Sequence, residues 1–367
     1  MNFAHEDELK ILRQTVRSFA ADVLAPEVRL MEETGEMAPR VLDLLASQGL
    51  FGISVPFDYG GTQMTSLERL VTLEEVARVS AATATWLAVQ HTAATAVLTT
   101  GSARDKEEVL PELARGRQFA ALALVPPPGT PGPTITFRSV LGDSYRLDGQ
   151  ASWCFGAPVA DWFLVEGVAP GQDVALFLLP RSTEGLLAGP ATPATGLRGC
   201  PAGPVQLSAA CVPPESRLGR RPSRTVGDVV AAAHALGFCG IVLGVMQAAM
   251  EAGLDFATKR VLYGKPIAGL QSVQFRLAEM YADLEAGRLL AYRTAWLMDR
   301  DEACALDIVA AYQFLSGSAL RGTRKAVEIF GGYGCLQDFP VERFYRDALT
   351  LTSRECPVRL DTASNGV

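Results

Sequence analysis

Apolar positions in the first third of the chain recur at helical spacing. From Glu8 to Val23, the residues Leu9, Leu12, Val16, Phe19, Ala20 and Val23 share one helix face, and Pro26 predicts an end or a kink. The same period runs from Arg40 to Gln48 and stops at Gly49. Val55–Gly61 reads as a turn, Ser66 opens a helix that continues through Leu73–Arg78, and Thr85–Leu98 is a further apolar helix. From residue 116 the character changes: Pro and Gly become frequent and the apolar runs shorten, at 119–125, 134–140, 161–167, 174–179 and 205–212. These predict a β region of about six to eight short strands. Long helical periods return at 227–259, 270–299 and 303–330, with a short one at 340–351, which suggests a four-helix bundle. The predicted fold class is therefore α+β, with an N-terminal helical domain (1–115), a central β-barrel or sandwich domain (116–225) and a C-terminal helical bundle (226–367).

Composition narrows the class. The 367 residues are 49% hydrophobic and 20% charged, enough for a large core and incompatible with a disordered chain. The seven Cys (154, 200, 211, 239, 304, 335, 356) form no CxxC pair and are odd in number, as expected of reduced thiols in a cytoplasmic protein. His5, His91 and His234 stand apart, without the Cys partners of a zinc site, so no metal is expected. A net charge of −7 argues against a nucleic-acid partner. The acidic N-terminus, Met1–Lys10, lacks the basic and apolar regions of a signal peptide. The uncharged stretch Val229–Met250 is long enough to cross a bilayer, and Arg217, Arg220, Arg221 and Arg224 precede it. Its Ala and Gly content, including Gly240-x-x-x-Gly244, suits a tightly packed central helix better, and no membrane partner is expected.

Several segments, taken in order, resemble the acyl-CoA dehydrogenase family over nearly the whole chain. Val55–Gly61 resembles its V-P-x-x-Y-G-G turn, Leu73–Arg78 its E-E-x-A-R helix, and Lys106–Gly116 the approach to its β domain. Arg260–Gln274 resembles its R-x-x-F-G-x-P…Q element, Glu328–Gly334 its Q-x-x-G-G-x-G element, and Phe339–Asp347 its Y-P-V-E-R-x-x-R-D element. The resemblance implies three domains, a homodimer or homotetramer, and FAD held between the β domain and the bundle, partly by a neighbouring subunit. It also implies oxidation of an acyl thioester at Cα–Cβ, with a carboxylate taking the α-proton and the flavin receiving the β-hydride.

The family's commonest catalytic Glu follows the Arg of its R-D element at a fixed spacing, and counting on from Arg346 lands on Glu355. The family's alternative base position falls near His234, where no acid stands, which favours Glu355. Trp153 matches the aromatic residue that packs against the flavin, and Arg260 the cation that meets the pyrophosphate. Tyr263, Gln271, Gly331, Gly332 and Gly334 match other cofactor-lining positions.

Departures from the pattern share one direction. Val125-Pro126-Pro127 stands where the family has T-E-P, and Thr130 lies where its G-S-D hydroxyl is expected. Phe155 and Leu262 replace threonines, Glu328 replaces the Gln before the glycines, and Cys356-Pro357 follows Glu355 in place of Gly-Thr. Losing five or six hydrogen bonds of about 1 kcal/mol each would weaken FAD binding by several kcal/mol. Two readings stay open: a divergent FAD-dependent enzyme on acyl-CoA or an acyl carrier protein (ACP) thioester, in a specialised biosynthetic pathway, or a flavin-free homologue. The second would do redox-neutral thioester chemistry (dehydration, isomerisation or cyclisation) or act as a non-catalytic partner. Flavin monooxygenases share the fold but lack the catalytic carboxylate, so Glu355 counts against that third version.

Overall fold

A computed structural model describes residues 6–124, 134–140, 143–170, 174–219, 224–353 and 356–358. The chain begins with helices α1 (Glu6–Phe19), α2 (Ala25–Thr34), α3 (Pro39–Ser47), α4 (Ser66–Ala77), α5 (Ala81–Thr100) and α6 (Ala103–Ala114). Pro26 makes a kink, not an end. Ala20–Leu24 forms a single π-helical turn that re-phases the chain into α2, with Pro26 in the first turn, where its missing N–H costs nothing. Reciprocal capping boxes, Thr65 with Glu68 and Ser102 with Asp105, start α4 and α6. Helix α5 is apolar nearly all round and buried along most of its length, as a central helix must be.

The Val55–Gly61 turn is dictated by backbone proximity. Gly60 has φ +83°, and a Cβ on Gly61 would lie 2.0 Å from the Val55 carbonyl oxygen and 2.5 Å from that of Gly52. Backbone on both sides cannot give way. Gly61→Ala is therefore expected to destabilise the protein by about 2 kcal/mol or more, read by urea denaturation; a change below about 0.5 kcal/mol would refute the packing assignment.

An eight-stranded mixed sheet follows. Its strands are β1 (Ala120–Ala123), β2 (Ile135–Ser139), β3 (Tyr145–Phe155), β4 (Trp162–Val168), β5 (Val174–Pro180), β6 (Leu186–Ala188), β7 (Ala202–Val212) and β8 (Arg217–Leu218). They pair in the order β6-β7-β3-β2-β4-β5-β8, with β1 parallel to β4. The free edge of β1 is satisfied by a side chain: Gln90 on α5 donates to the Ala120 carbonyl (3.0 Å) and accepts from the Ala120 N–H (2.8 Å). Phe137, Tyr145 and Phe177 pack edge-to-face at 5.2–6.0 Å within the sheet domain's own core.

The chain then turns helical again, through α7 (Arg224–Lys259), a short hairpin of β9 (Val261–Leu262) and β10 (Lys265–Pro266), α8 (Gln271–Met298), α9 (Ala305–Phe330) and α10 (Val341–Thr352). The apolar stretch that could cross a membrane by length lies in α7, and 78% of its most apolar window is buried inside the protein. Its glycines are where neighbours come closest. A Cβ on Gly240 would lie 2.9 Å from the Leu70 carbonyl oxygen, and one on Gly244 would lie 2.2 Å from that of Glu74, so α4 seats directly on α7. Ion pairs bridge α8 and α9 along their length: Arg276 to Glu328, Lys325 to Glu279 and Arg321 to Asp283.

Candidate active site

A cavity of about 350 Å³ lies between β3, the segment preceding β7 and the end of α10. It is lined by Trp153 and by hydroxyl-bearing residues of all three elements, Ser152, Thr192, Thr195, Thr350 and Ser353. Trp153 is half-buried, and its ring leans on Phe155 at 5.0 Å. Phe155 is buried in the core (6% exposed) and is not among the lining residues, so it braces Trp153 instead of facing the cavity.

The wall segment is tied to α10. Arg346 Nη1 donates to the Thr195 carbonyl (2.8 Å), the Gly196 N–H donates to Thr350 Oγ1 (2.9 Å), and the Leu197 N–H donates to Asp347 Oδ1 (2.6 Å). Arg346 also bonds Glu342 and Glu32, joining α10, the sheet domain and α2 at one point. Burial pushes the Asp347 carboxyl up to about 6, against the charge of Arg343 and the Leu197 hydrogen bond.

Val125, Thr130 and Glu355 lie outside the described residues. The described neighbours of Glu355 are Ser353, in the cavity wall, and Cys356, buried in the core.

The other expected cofactor positions form a second group, where α7, α8 and α9 end or begin. Arg260 follows α7 and stacks over the Tyr333 ring at 5.3 Å. Tyr263 occupies the hairpin turn with φ +52° and is fully exposed, and Gln271 opens α8. Gly331 ends α9 with φ +59°, and a Cβ on it or on Gly332 would meet nothing within 4 Å, so this backbone is open to a ligand. Gly334 is structural, since its Cβ would lie 2.5 Å from the Val327 carbonyl oxygen. Phe339, just before α10, touches Tyr333 at 5.5 Å, so α10 runs from this group to the cavity, about 18 Å at 1.5 Å per residue.

Glu328 is not a bare acid at this end. It pairs with Arg276 (3.1 Å) and with Arg324 (3.4 Å), leaving the cluster net positive. Glu328→Gln is thus expected to change FAD affinity by less than about fivefold at low salt, because exposed ion pairs contribute at most about 1 kcal/mol. A titration showing a much larger gain would mean that the carboxylate repels the cofactor despite its partners.

The sequence singles out Trp153 and Phe155 but predicts no strand at β3, marks Asp347 only as the end of the Phe339–Asp347 element, and gives no role to the wall residues Thr192–Thr195. Strand β3 alternates poorly, because Gly149 and polar residues interrupt it and several of its side chains are only half-buried. The available signal at the wall was the Gly- and Pro-rich run from Gly189 to Gly199.

Helices, sheet and bundle with a cleft beside a tryptophan define an acyl-CoA dehydrogenase-like oxidoreductase fold, and the comparisons agree. Residues 6–117 match the family model described as acyl-CoA dehydrogenase, N-terminal domain, and residues 232–355 match acyl-CoA dehydrogenase, C-terminal domain. The chain belongs to the acyl-CoA dehydrogenase family. It is 32% identical to an acyl-CoA dehydrogenase of Bacillus subtilis (strain 168), over 93% of this chain and 92% of that one. The butyryl-CoA dehydrogenase structure from Megasphaera elsdenii superposes with a TM-score of 0.88 at 26% identity, covering 96% of this chain and 95% of that one. A glutaryl-CoA dehydrogenase from Mycobacterium smegmatis in complex with FADH2 shares the fold, with a TM-score of 0.87 at 20% identity, covering 96% and 92%.

Proposed function

We propose that this chain is a flavin-dependent dehydrogenase of an acyl thioester, carried by CoA or by an acyl carrier protein. The observation that carries this reading is the cavity bounded by Trp153 and by the end of α10, where Ser353 stands two residues before Glu355. Its residues fit FAD: a tryptophan beside the cavity for a planar ring, serine and threonine residues around it for ring heteroatoms, and, at the far end of α10, a guanidinium beside open glycine backbone for phosphates. Trp153, Thr195, Thr350 and Ser353 would hold the ring, and Arg260, Gln271, Gly331 and Gly332 the dinucleotide end. Bound there, FAD supplies a hydride acceptor for the substrate Cβ.

Glu355 is the base in this reading. Its carboxylate takes the proton from Cα of the thioester, leaving the acyl group unsaturated at Cα–Cβ once the β-hydride has left.

The dinucleotide end carries an exposed apolar surface of Val261, Leu262, Tyr263, Leu270, Phe275 and Leu336. A second copy covering it would make a homodimer or homotetramer whose neighbour completes the cofactor site. Substitution of the family's polar contacts at Phe155 and Leu262 favours a specialised biosynthetic substrate over ordinary saturated fatty acyl-CoA.

The test is the visible spectrum of the purified protein before and after excess FAD, followed by a panel of acyl-CoA and acyl-ACP thioesters. A flavin band that co-elutes with the protein and bleaches anaerobically with one thioester is the expected result. A protein that stays colourless with FAD would overturn the dehydrogenase reading and leave redox-neutral chemistry or a partner role. Rapid turnover of ordinary saturated fatty acyl-CoA would overturn the specialised role alone.

A further inference from the structure

We propose that Asp347 is a positioning residue of this active site, clamping the Thr192–Leu197 wall onto α10 so that the cavity beside Trp153 keeps the shape that receives the flavin. The inference rests on the FAD reading above. Asp347 does not line the cavity; it acts through the wall.

The geometry sets out how. The outer part of the wall is tied to β7, where the Thr192 N–H donates to the Ala202 carbonyl (2.7 Å). From Thr195 to Leu197 the ties run instead to α10, through Arg346, Thr350 and Asp347. The two backbones are in contact as well: a Cβ on Gly196 would lie 2.3 Å from the Arg346 carbonyl oxygen, so only glycine lets the wall seat on the helix. Thr195 and Thr350 both line the cavity, one from the wall and one from α10, with the seam between them closed by these bonds. A ring in the cavity therefore meets a surface made jointly by the two elements, whose shape the clamp holds.

Asp347 is the strongest member of the clamp. It is buried (2% exposed), and its 2.6 Å bond from the Leu197 N–H is short and charge-assisted. A buried carboxylate is retained only where donors offset its desolvation, and removing it releases the wall and leaves the Leu197 N–H without this acceptor. Arg346 is held in turn by Glu342 and Glu32, which fixes the direction from which it grips Thr195.

The experiment titrates FAD into wild type, Asp347→Ala, Asp347→Asn and the control Asp299→Ala, with amide exchange of Thr195–Leu197 measured on the same proteins. Asp299 caps the start of α4 through Ser66 and Leu67 and lies outside the cavity, so it reports general destabilisation. The expected result is an FAD Kd raised on the order of tenfold in Asp347→Ala, with faster exchange at Gly196 and Leu197. Asp347→Asn keeps an acceptor and should stay within about threefold of wild type, and Asp299→Ala should leave both readouts unchanged. Should Asp347→Ala not fold, Gly196→Ala opens the same seam from the wall side and should show the same weakening. Wild-type affinity in Asp347→Ala (or in Gly196→Ala), or equal weakening in Asp299→Ala, would overturn the clamp. If wild type itself binds no FAD, the FAD reading fails; unchanged protection of Gly196 and Leu197 in Asp347→Ala would then overturn the clamp independently.

Discussion

Glu355→Gln is expected to lower the rate of acyl-thioester oxidation by about 10²–10⁴-fold, the range a positioned general base supplies. The amide is isosteric and keeps hydrogen-bonding capacity, but it cannot take the α-proton. FAD affinity should hardly change, because the substitution leaves Trp153, Thr350 and Ser353 in place. Two measurements separate these effects: anaerobic bleaching of the flavin by substrate, and exchange of the α-proton with solvent deuterium, read by mass. Loss of both with an intact flavin spectrum is the expected pattern. Undiminished exchange would remove Glu355 from the mechanism and direct attention to His234, half-buried on α7.

Glu75→Ala is expected to cost about 3–5 kcal/mol, the range for stripping one partner from a buried ion cluster. The Glu74 and Glu75 side chains are fully buried between α1, α4 and α8. Glu75 accepts from Arg13 (2.5 Å), Arg17 (2.9 Å) and Arg78 (2.8 Å). Glu74 accepts from Arg288 (2.8 Å) and from the Tyr292 hydroxyl (2.8 Å). Removing Glu75 leaves Arg13 paired with Glu74 and Arg78 with Glu251, and takes from Arg17 the carboxylate it pairs with. Arg17 is half exposed and can turn to water, which places the expected loss toward the lower end. Burial opposes the Glu75 charge, yet the hydrogen bonds from Arg17 and Arg78 hold its carboxyl below the ordinary value of 4.5. A depressed acid stabilises the fold above its unfolded value, and that contribution is lost as pH falls through the folded one. The gap between wild type and Glu75→Ala should therefore be full at neutral pH and shrink on acidification below 4.5. Urea denaturation at both pH values checks this, and a gap that is small at neutral pH would show that the cluster stabilises little.

These two residues illustrate what can be read from a chain and what cannot. Glu74, Glu75 and Arg78 belong to the Leu73–Arg78 segment that carries the family resemblance, but the sequence offers no hint that their partners are Arg13, Arg17 and Arg288. In the sequence, Glu328 is an acid in place of the Gln before the glycines, with no partner in view. Only the packing of α8 on α9 brings Arg276 to it. Phe155 stands where the family has a threonine, and only the fold shows that its ring is buried against Trp153.

What the sequence by itself determined is the order helices, sheet, helices, because periods of 3.6 and 2 are local properties of side-chain placement. It also determined the Val55–Gly61 turn, whose glycines are required by backbone within the same few residues. The tertiary structure alone decided the cavity, because its walls come from distant parts of the chain: Trp153 on a poorly alternating strand, the 192–197 segment, and the end of α10. The Leu197–Asp347 bond that joins two of them spans 150 residues. No periodicity encodes such a contact, since it depends on how whole elements pack and not on the spacing of residues within one of them.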